Sequence, residues 1–190
     1  MRLLVNKTRQ AELTGPSLAE AHREVGKRLA GSVARHYPLE DVLIKHVTGS
    51  STGVKLQAGS EPIIVALMRA GLFVAEGIWT SLPGSALVHY SEGSNLHESP
   101  TGGRPVVIVD SVINTGRSIR DVLKAVVNLQ PSNLSVAALV AYRPTLEILV
   151  DEFPSVDFHI ARISDRSYVG QGSTDTGARL FGTTSWACEV

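Results

Sequence analysis

The sequence predicts an α/β domain in which a parallel sheet is flanked by helices, and three observations carry that expectation. From Pro62 onward, short and nearly continuous apolar runs alternate with helical segments, the pattern of parallel strands covered on both faces. A length of 190 residues suits one compact domain with a proper core and would be a stretch for two. No internal repeat, low-complexity tract or linker separates a second unit, so a single domain spanning 1–190 is expected, with its core at about 17–163.

The elements follow in order. Ser17 and Glu20 read as a capping box, and Leu18, Ala21, Val25, Leu29 and Val33 then recur at helical spacing to about Tyr37. Val42 to Thr48 and Val54 to Gln57 predict a small hairpin outside the main sheet, turning through Gly49-Ser50-Ser51-Thr52-Gly53. Strands are expected at Ile63 to Met68, Ala86 to Tyr90, Val106 to Asp110, Leu134 to Ala141 and Phe158 to Ile163. Helices are expected at Leu72 to Leu82, Ser118 to Leu129 and Thr145 to Phe153, the second with Ile119, Val122, Leu123 and Val126 on one stripe. Two polar, Gly-rich segments break the alternation, Ser91 to Arg104 and Ser164 to Thr184; long irregular segments in a compact domain tend to be functional.

Composition narrows the function classes. Lys plus Arg equals Asp plus Glu at 18 each, so no overall field draws the chain to nucleic acid or a membrane surface, and an anionic ligand must be met locally. A lone Cys188 excludes an intrachain disulfide framework and a cysteine-clustered zinc site. Met1 to Gln10 has scattered charges and no apolar core, and no apolar run is long enough to span a bilayer, so a cytoplasmic setting is expected. His22, His36, His46, His89, His97 and His159 show no metal-ligand spacing and are read as packing or surface residues, with His89 and His97 flanking the segment from Ser91. Trp79 is read as core.

The chemistry concentrates where Val106-Val107-Ile108-Val109-Asp110 runs into Ser111-Val112-Ile113-Asn114-Thr115-Gly116-Arg117-Ser118 and then a helix. Strand, turn and helix N-terminus aim main-chain amides at one place and favour negative charge there. Gly116 lets the backbone approach an oxygen, and Thr115 and Ser118 add hydroxyls. Asp110 would repel a phosphate and is better suited to accepting hydrogen bonds from the hydroxyls of an adjoining sugar.

These residues resemble the phosphoribosyl pyrophosphate loop of type I phosphoribosyltransferases, which implies a Rossmann-like parallel sheet flanked by helices, with Ser111 to Ser118 around the 5′-phosphate and Asp110 on the ribose. Leu67-Met68-Arg69-Ala70-Gly71-Leu72 is similar to the pyrophosphate loop of uracil phosphoribosyltransferases, and this resemblance puts Arg69, Ala70 and Gly71 on the diphosphate. Tyr168 to Thr183 resembles that family's C-terminal hood, Tyr-Ile-Val-Pro-Gly-x-Gly-Asp-x-Gly-Asp-Arg-x-Phe-Gly-Thr, without a gap. The likeness implies that the hood, about 164–184, reads the base through Tyr168, Val169, Thr174 and Thr176, with Asp175 near the ribose and a magnesium ion, directly or through water. Magnesium is expected to be held mainly by the substrate.

The resemblance implies transfer of phosphoribose from phosphoribosyl pyrophosphate to uracil or a related heterocycle, with Arg69, Asp110 and Asp175 as the catalytic residues and a homodimer or higher homo-oligomer as the assembly. Departures from the pattern bear on base choice and closure. Gln171 replaces the hood's Pro, Thr174 a Gly and Ala178 an Asp; His89-Tyr90-Ser91-Glu92 lacks the Arg of the family's lid; and Tyr142-Arg143-Pro144-Thr145 replaces Ala-Pro-Glu-Gly. Arg143 is a candidate for restoring the positive charge lost from the lid. Thr-Gly-Arg-Ser in the phosphate loop is also similar to pyrimidine operon regulators of the same fold, so a non-catalytic regulator that binds phosphoribosyl pyrophosphate or a nucleotide is the alternative.

Overall fold

The structure is a computed structural model, and it describes residues 1–94 and 103–185. Seven strands and six helices, with two short 3-10 turns, follow one another as α1 (Arg2–Thr8), α2 (Gly15–Val33), β1 (Leu39–His46), β2 (Gly49–Leu56), β3 (Ile63–Leu67), α3 (Leu72–Trp79), β4 (Ala86–Tyr90), β5 (Val106–Ile113), α4 (Arg117–Val127), β6 (Leu134–Tyr142), α5 (Arg143–Glu152), β7 (Asp157–Ser164) and α6 (Thr176–Phe181) among the described residues. The five later strands form a parallel sheet in the order β4-β3-β5-β6-β7, and β1 pairs with β2 as a separate antiparallel hairpin.

Burial explains why the sheet strands read as unbroken apolar runs. In β5, Val107 and Val109 pack with Val25, Leu29, Val74 and Ile78 on one face, while Val106 and Ile108 pack with Ile119, Val122, Leu123 and Leu149 on the other. Helices α2 and α3 thus cover one face and α4 and α5 the other, as parallel crossovers require. Helices α2 and α3 meet backbone to backbone: a Cβ on Gly26 would fall 2.1 Å from the Val74 carbonyl oxygen, and one on Gly77 2.2 Å from that of Arg23.

Several boundaries differ from the expectation. Helix α2 begins at Gly15, with Pro16 in its first turn, so Ser17 and Glu20 lie inside the helix instead of capping it. The hairpin turns at Val47-Thr48, and Gly49 to Gly53 belong to β2, because pairing of His46 with Gly49 and Val42 with Gly53 holds these small polar residues in the ladder. Helix α1 was not anticipated; only Val5 and Thr8 of its seven residues are buried, so it has no apolar stripe to read. Trp79 is 43% exposed at the end of α3, its indole donating to the Ser85 carbonyl, and is not core. The segment from Ser91 to Arg104, with His97, lies largely outside the described residues.

Candidate active site

The turn after β5 is shorter than the sequence suggests. Residues Ser111, Val112 and Ile113 are the last of β5, and Val112 and Ile113 pair with Val140 and Ala141 of β6, so they continue the sheet and do not form an amide cradle. The Ser-Val-Ile run is β-prone, and β6 extends beside it far enough to keep it paired. The turn proper is Asn114-Thr115-Gly116. Gly116 adopts φ 72° as the N-cap of α4, and a Cβ there would meet the Thr145 side chain at 2.7 Å, so both conformation and space call for glycine. The Thr145 hydroxyl, from α5, donates to the Asn114 carbonyl at 2.6 Å and pins the turn. At the start of α4 the amides of Ser118 and Ile119 have no intrahelical acceptor, so the anion-binding character survives in a smaller set of donors.

Asp110 sits on β5 one step before this end. Its Oδ1 accepts from the Ser111 amide at 2.7 Å, and part of the carboxyl opens into a cavity. Burial pushes its pKa up to about 7, opposed by hydrogen bonds from the Ser111 and Val112 amides. A desolvated carboxyl facing a cavity with spare acceptor capacity suits a ligand that brings hydroxyl donors.

The neighbouring strand β3 ends in a cis Met68–Arg69 peptide bond, followed by Ala70 and Gly71. Gly71 is required by close approach: a Cβ would lie 2.4 Å from the Val109 carbonyl oxygen and 2.7 Å from that of Leu67. The Arg69 guanidinium lies 5.7 Å from the centre of the Phe181 ring, and Phe181 packs on Phe73 with centroids 5.1 Å apart. Arg69 therefore bridges the end of β3 and the hood helix α6.

Within the hood, Asp175 caps α6 by accepting from the Ala178 amide through Oδ2 at 2.7 Å, which leaves its other oxygen for a ligand. Two of the departures from the family pattern turn out to be partners. The Gln171 amide donates to the Thr174 hydroxyl oxygen at 3.0 Å, and that hydroxyl donates to the Gln171 carbonyl at 2.9 Å. Thr174 donates its own amide to Gln171, and its carbonyl accepts from the Tyr168 hydroxyl, so its main chain is engaged inside the hood. Tyr168, Val169 and Thr176 of the hood line the cavity that Arg69 and Asp110 also face.

Arg69, Ala70, Asp110, Val112, Asn114, Ser118, Tyr168, Val169, Asp175 and Thr176 line one cavity of about 410 Å³. Ser111, Ile113, Thr115, Gly116, Arg117 and Gly71 do not. Ser111, Ile113 and Gly116 are buried, Thr115 and Arg117 lie exposed beside the turn, and Gly71 packs against backbone. Thr174, Ser111 and Ile113 line a second cavity that shares Val112, Asn114, Tyr168 and Thr176 with the first. Arg143 is ion-paired to Asp165 at 2.5 Å and lines neither. Among the described residues no group of three or more His, Cys, Asp or Glu side chains could hold a metal ion.

Sequence reasoning passed over His22. It is 2% exposed on α2; its Nδ1 donates to the Leu18 carbonyl at 2.9 Å, and its Nε2 accepts from the Ser111 hydroxyl at 3.0 Å. A carbonyl only accepts, which assigns the tautomer. Burial drives its pKa down to about 4, so it is neutral near pH 7 and supports the end of β5 from below. The pair is 89 residues apart, and the sequence, which reads His22 only as a packing or surface residue, holds no local sign of its partner.

The family profile described as uracil phosphoribosyltransferase matches residues 1–183. A uracil phosphoribosyltransferase of Levilactobacillus brevis is 31% identical over 182 positions, covering 88% of this chain and 87% of that protein. One from Enterococcus faecalis is 30% identical, covering 86% and 85%. Among solved structures, the AQ2163 protein of Aquifex aeolicus superposes with a TM-score of 0.77 at 22% identity, over 95% of this chain and 93% of that one, a likeness of fold. The match across the β3 and β5 loops and the hood means that this chain belongs to the uracil phosphoribosyltransferase family.

Proposed function

We propose that the protein transfers phosphoribose from phosphoribosyl pyrophosphate to uracil or a related heterocycle, releasing pyrophosphate and a nucleoside monophosphate, which is UMP when the base is uracil. The observation that carries this reading is the shared cavity: Arg69, Asp110 and Asp175, from three separate chain segments, face the same space as Asn114 and Ser118 of the phosphate turn.

A ring nitrogen displaces pyrophosphate from the anomeric carbon, so positive charge grows on the sugar while negative charge grows on the leaving group. Catalysis then consists of holding donor and acceptor in line and stabilising both charges, without a covalent nucleophile. The Ser118 and Ile119 amides and the Ser118 hydroxyl anchor the 5′-phosphate. Asp110 accepts from the ribose hydroxyls, the free oxygen of Asp175 faces the reacting side of the sugar, and the Arg69 fork takes the departing diphosphate. Val112 supplies an apolar platform for the base, with Val169 and Thr176 reading its edge. Magnesium fits this donor set as an ion carried by the pyrophosphate and water, with Asp175 within its outer reach, and would offset charge on the leaving group.

A homo-oligomer belongs to the same proposal. It is supported by the β1–β2 hairpin, which exposes Leu43 at 74%, Val47 at 96% and Val54 at 64% with no sheet behind it. No helix among the described residues is long and apolar enough to cross a membrane. The reaction is tested by incubating the protein with phosphoribosyl pyrophosphate, magnesium and a panel of pyrimidines and measuring pyrophosphate. Release that depends on the base supports the proposal, and binding of the donor without release for any base contradicts it.

A further inference from the structure

The second cavity, of about 540 Å³, adjoins the base platform at Val112 and reaches across the sheet to Arg162, and its walls are chemically one-sided. Arg9, Arg162, Arg166 and Arg179 line it, and no Asp or Glu does among the described residues, in a chain whose formal charges balance. Its floor is apolar, with Leu18, Leu139 and Val140.

Sheet register shows how this charge reaches the base. Val112 of β5 pairs with Val140 of β6, and Val140 pairs with Arg162 of β7, so the three stand in a row across neighbouring strands, and all three line the cavity. Two strand spacings, about 10 Å, separate the platform from the root of Arg162. A six-membered ring resting on Val112 and an extended arginine side chain together cross that gap. Arg179 is committed to the Gln10 and Leu13 carbonyls, at 2.7 and 2.9 Å. Arg162 has only the Ser164 hydroxyl, at 3.4 Å, and Arg9 has no ion pair among the described residues. The acid nearest in sequence, Asp165, is held by Arg143. Burial and the neighbouring Arg9 press the Arg162 pKa downward while Asp165 raises it, and a bound anion relieves the first two.

We infer that the acceptor is a pyrimidine-type ring bearing an anionic substituent, a carboxylate, which projects over Val140 to be held by Arg162 with Arg9 beside it. The inference rests on the base position proposed above and narrows it. A planar guanidinium matches a carboxylate in two parallel hydrogen bonds, and a charge-assisted bond of this kind in a partly desolvated site is worth roughly tenfold or more in binding. A bare uracil ring would leave the arginines unanswered and most of the cavity empty.

The test compares uracil with uracil carrying a carboxylate on either of its two C–H ring carbons, C5 or C6. Pyrophosphate release is measured with phosphoribosyl pyrophosphate and magnesium, and equilibrium binding is measured on protein saturated with ribose 5-phosphate. The expected result is a preference of about tenfold or more for one carboxylated ring, cut by about tenfold in Arg162→Ala and in Arg9→Ala and partly kept in Arg162→Lys. If uracil reacts and neither carboxylated ring binds better, the inference falls while the transfer reaction stands. If a carboxylated ring binds in an Arg162-dependent way but no ring releases pyrophosphate, the anion site stands and the transfer reaction falls.

Discussion

Replacing Asp110 by asparagine separates the cost of this residue from its use. In the folded chain burial carries the carboxyl from 3.8 to about 7, so over that interval the unfolded chain is ionised while the folded chain still holds its proton. The folded state binds more protons, and stability falls as pH rises through the window. The penalty is about 1.4 kcal/mol for each pH unit crossed, about 4 kcal/mol once the folded carboxyl is fully ionised above roughly pH 8. That figure is an upper bound because solvent in the cavity reaches one face of the group. Asparagine keeps an oxygen to accept from the Ser111 amide and carries no charge. The advantage of Asp110→Asn over the parent is therefore small near pH 4 and widens steadily to pH 7. Because His22 titrates with the opposite sign over nearly the same range, the informative quantity is the difference between parent and variant in denaturant unfolding at several pH values. A pH-independent difference would refute the burial argument. The same variant should lose affinity for phosphoribosyl pyrophosphate; unchanged affinity would remove Asp110 from the ribose.

In the free enzyme, kcat/KM for phosphoribosyl pyrophosphate should rise with pH through about 7 and then level as Asp110 becomes a full acceptor; a profile flat across that range argues against the assignment. The folded pKa of His22 is depressed to about 4, so its contribution is present above about pH 6.5 and is lost as pH falls toward 4. His22→Ala should cost about 1–3 kcal/mol near neutral pH, by leaving the Ser111 hydroxyl buried without its acceptor, and should flatten the loss of stability in acid; urea unfolding reads both. Gly71→Ala places a Cβ 2.4 Å from a main-chain oxygen, so it should destabilise by about 1–3 kcal/mol and weaken binding of the diphosphate donor, seen together by thermal melts with and without ligand.

The sheet was legible because its inner strands β3, β5 and β6 are covered on both faces and read as apolar runs of the right length, and the half-exposed edge strands β4 and β7 still keep enough apolar residues to be seen beside them. Asp110, Arg69 and Asp175 were legible because each sits in a short motif, and the structure gathers them around one cavity. What escaped depends on pairing across the chain. Gly49 to Gly53 has the composition of a turn, yet the ladder with β1 claims it. Ser111 to Ile113 looks like the opening of a loop, yet β6 runs long beside it. Contact between His22 and Ser111, and the row from Val112 to Arg162, arise from helix docking and sheet register, which no local window contains. Thr174 carries the position of a base-reading residue, but its own hydrogen bonds with Gln171 and Tyr168 turn its main chain inward.

The most direct examination of the central claim is a crystal structure of the protein with phosphoribosyl pyrophosphate and magnesium. The 5′-phosphate should lie against Ser118 and the amides that open α4, the ribose hydroxyls on Asp110, and the diphosphate beside Arg69. A phosphate seated instead among Arg9, Arg162 and Arg166, with the turn at Asn114 to Gly116 empty, would contradict it.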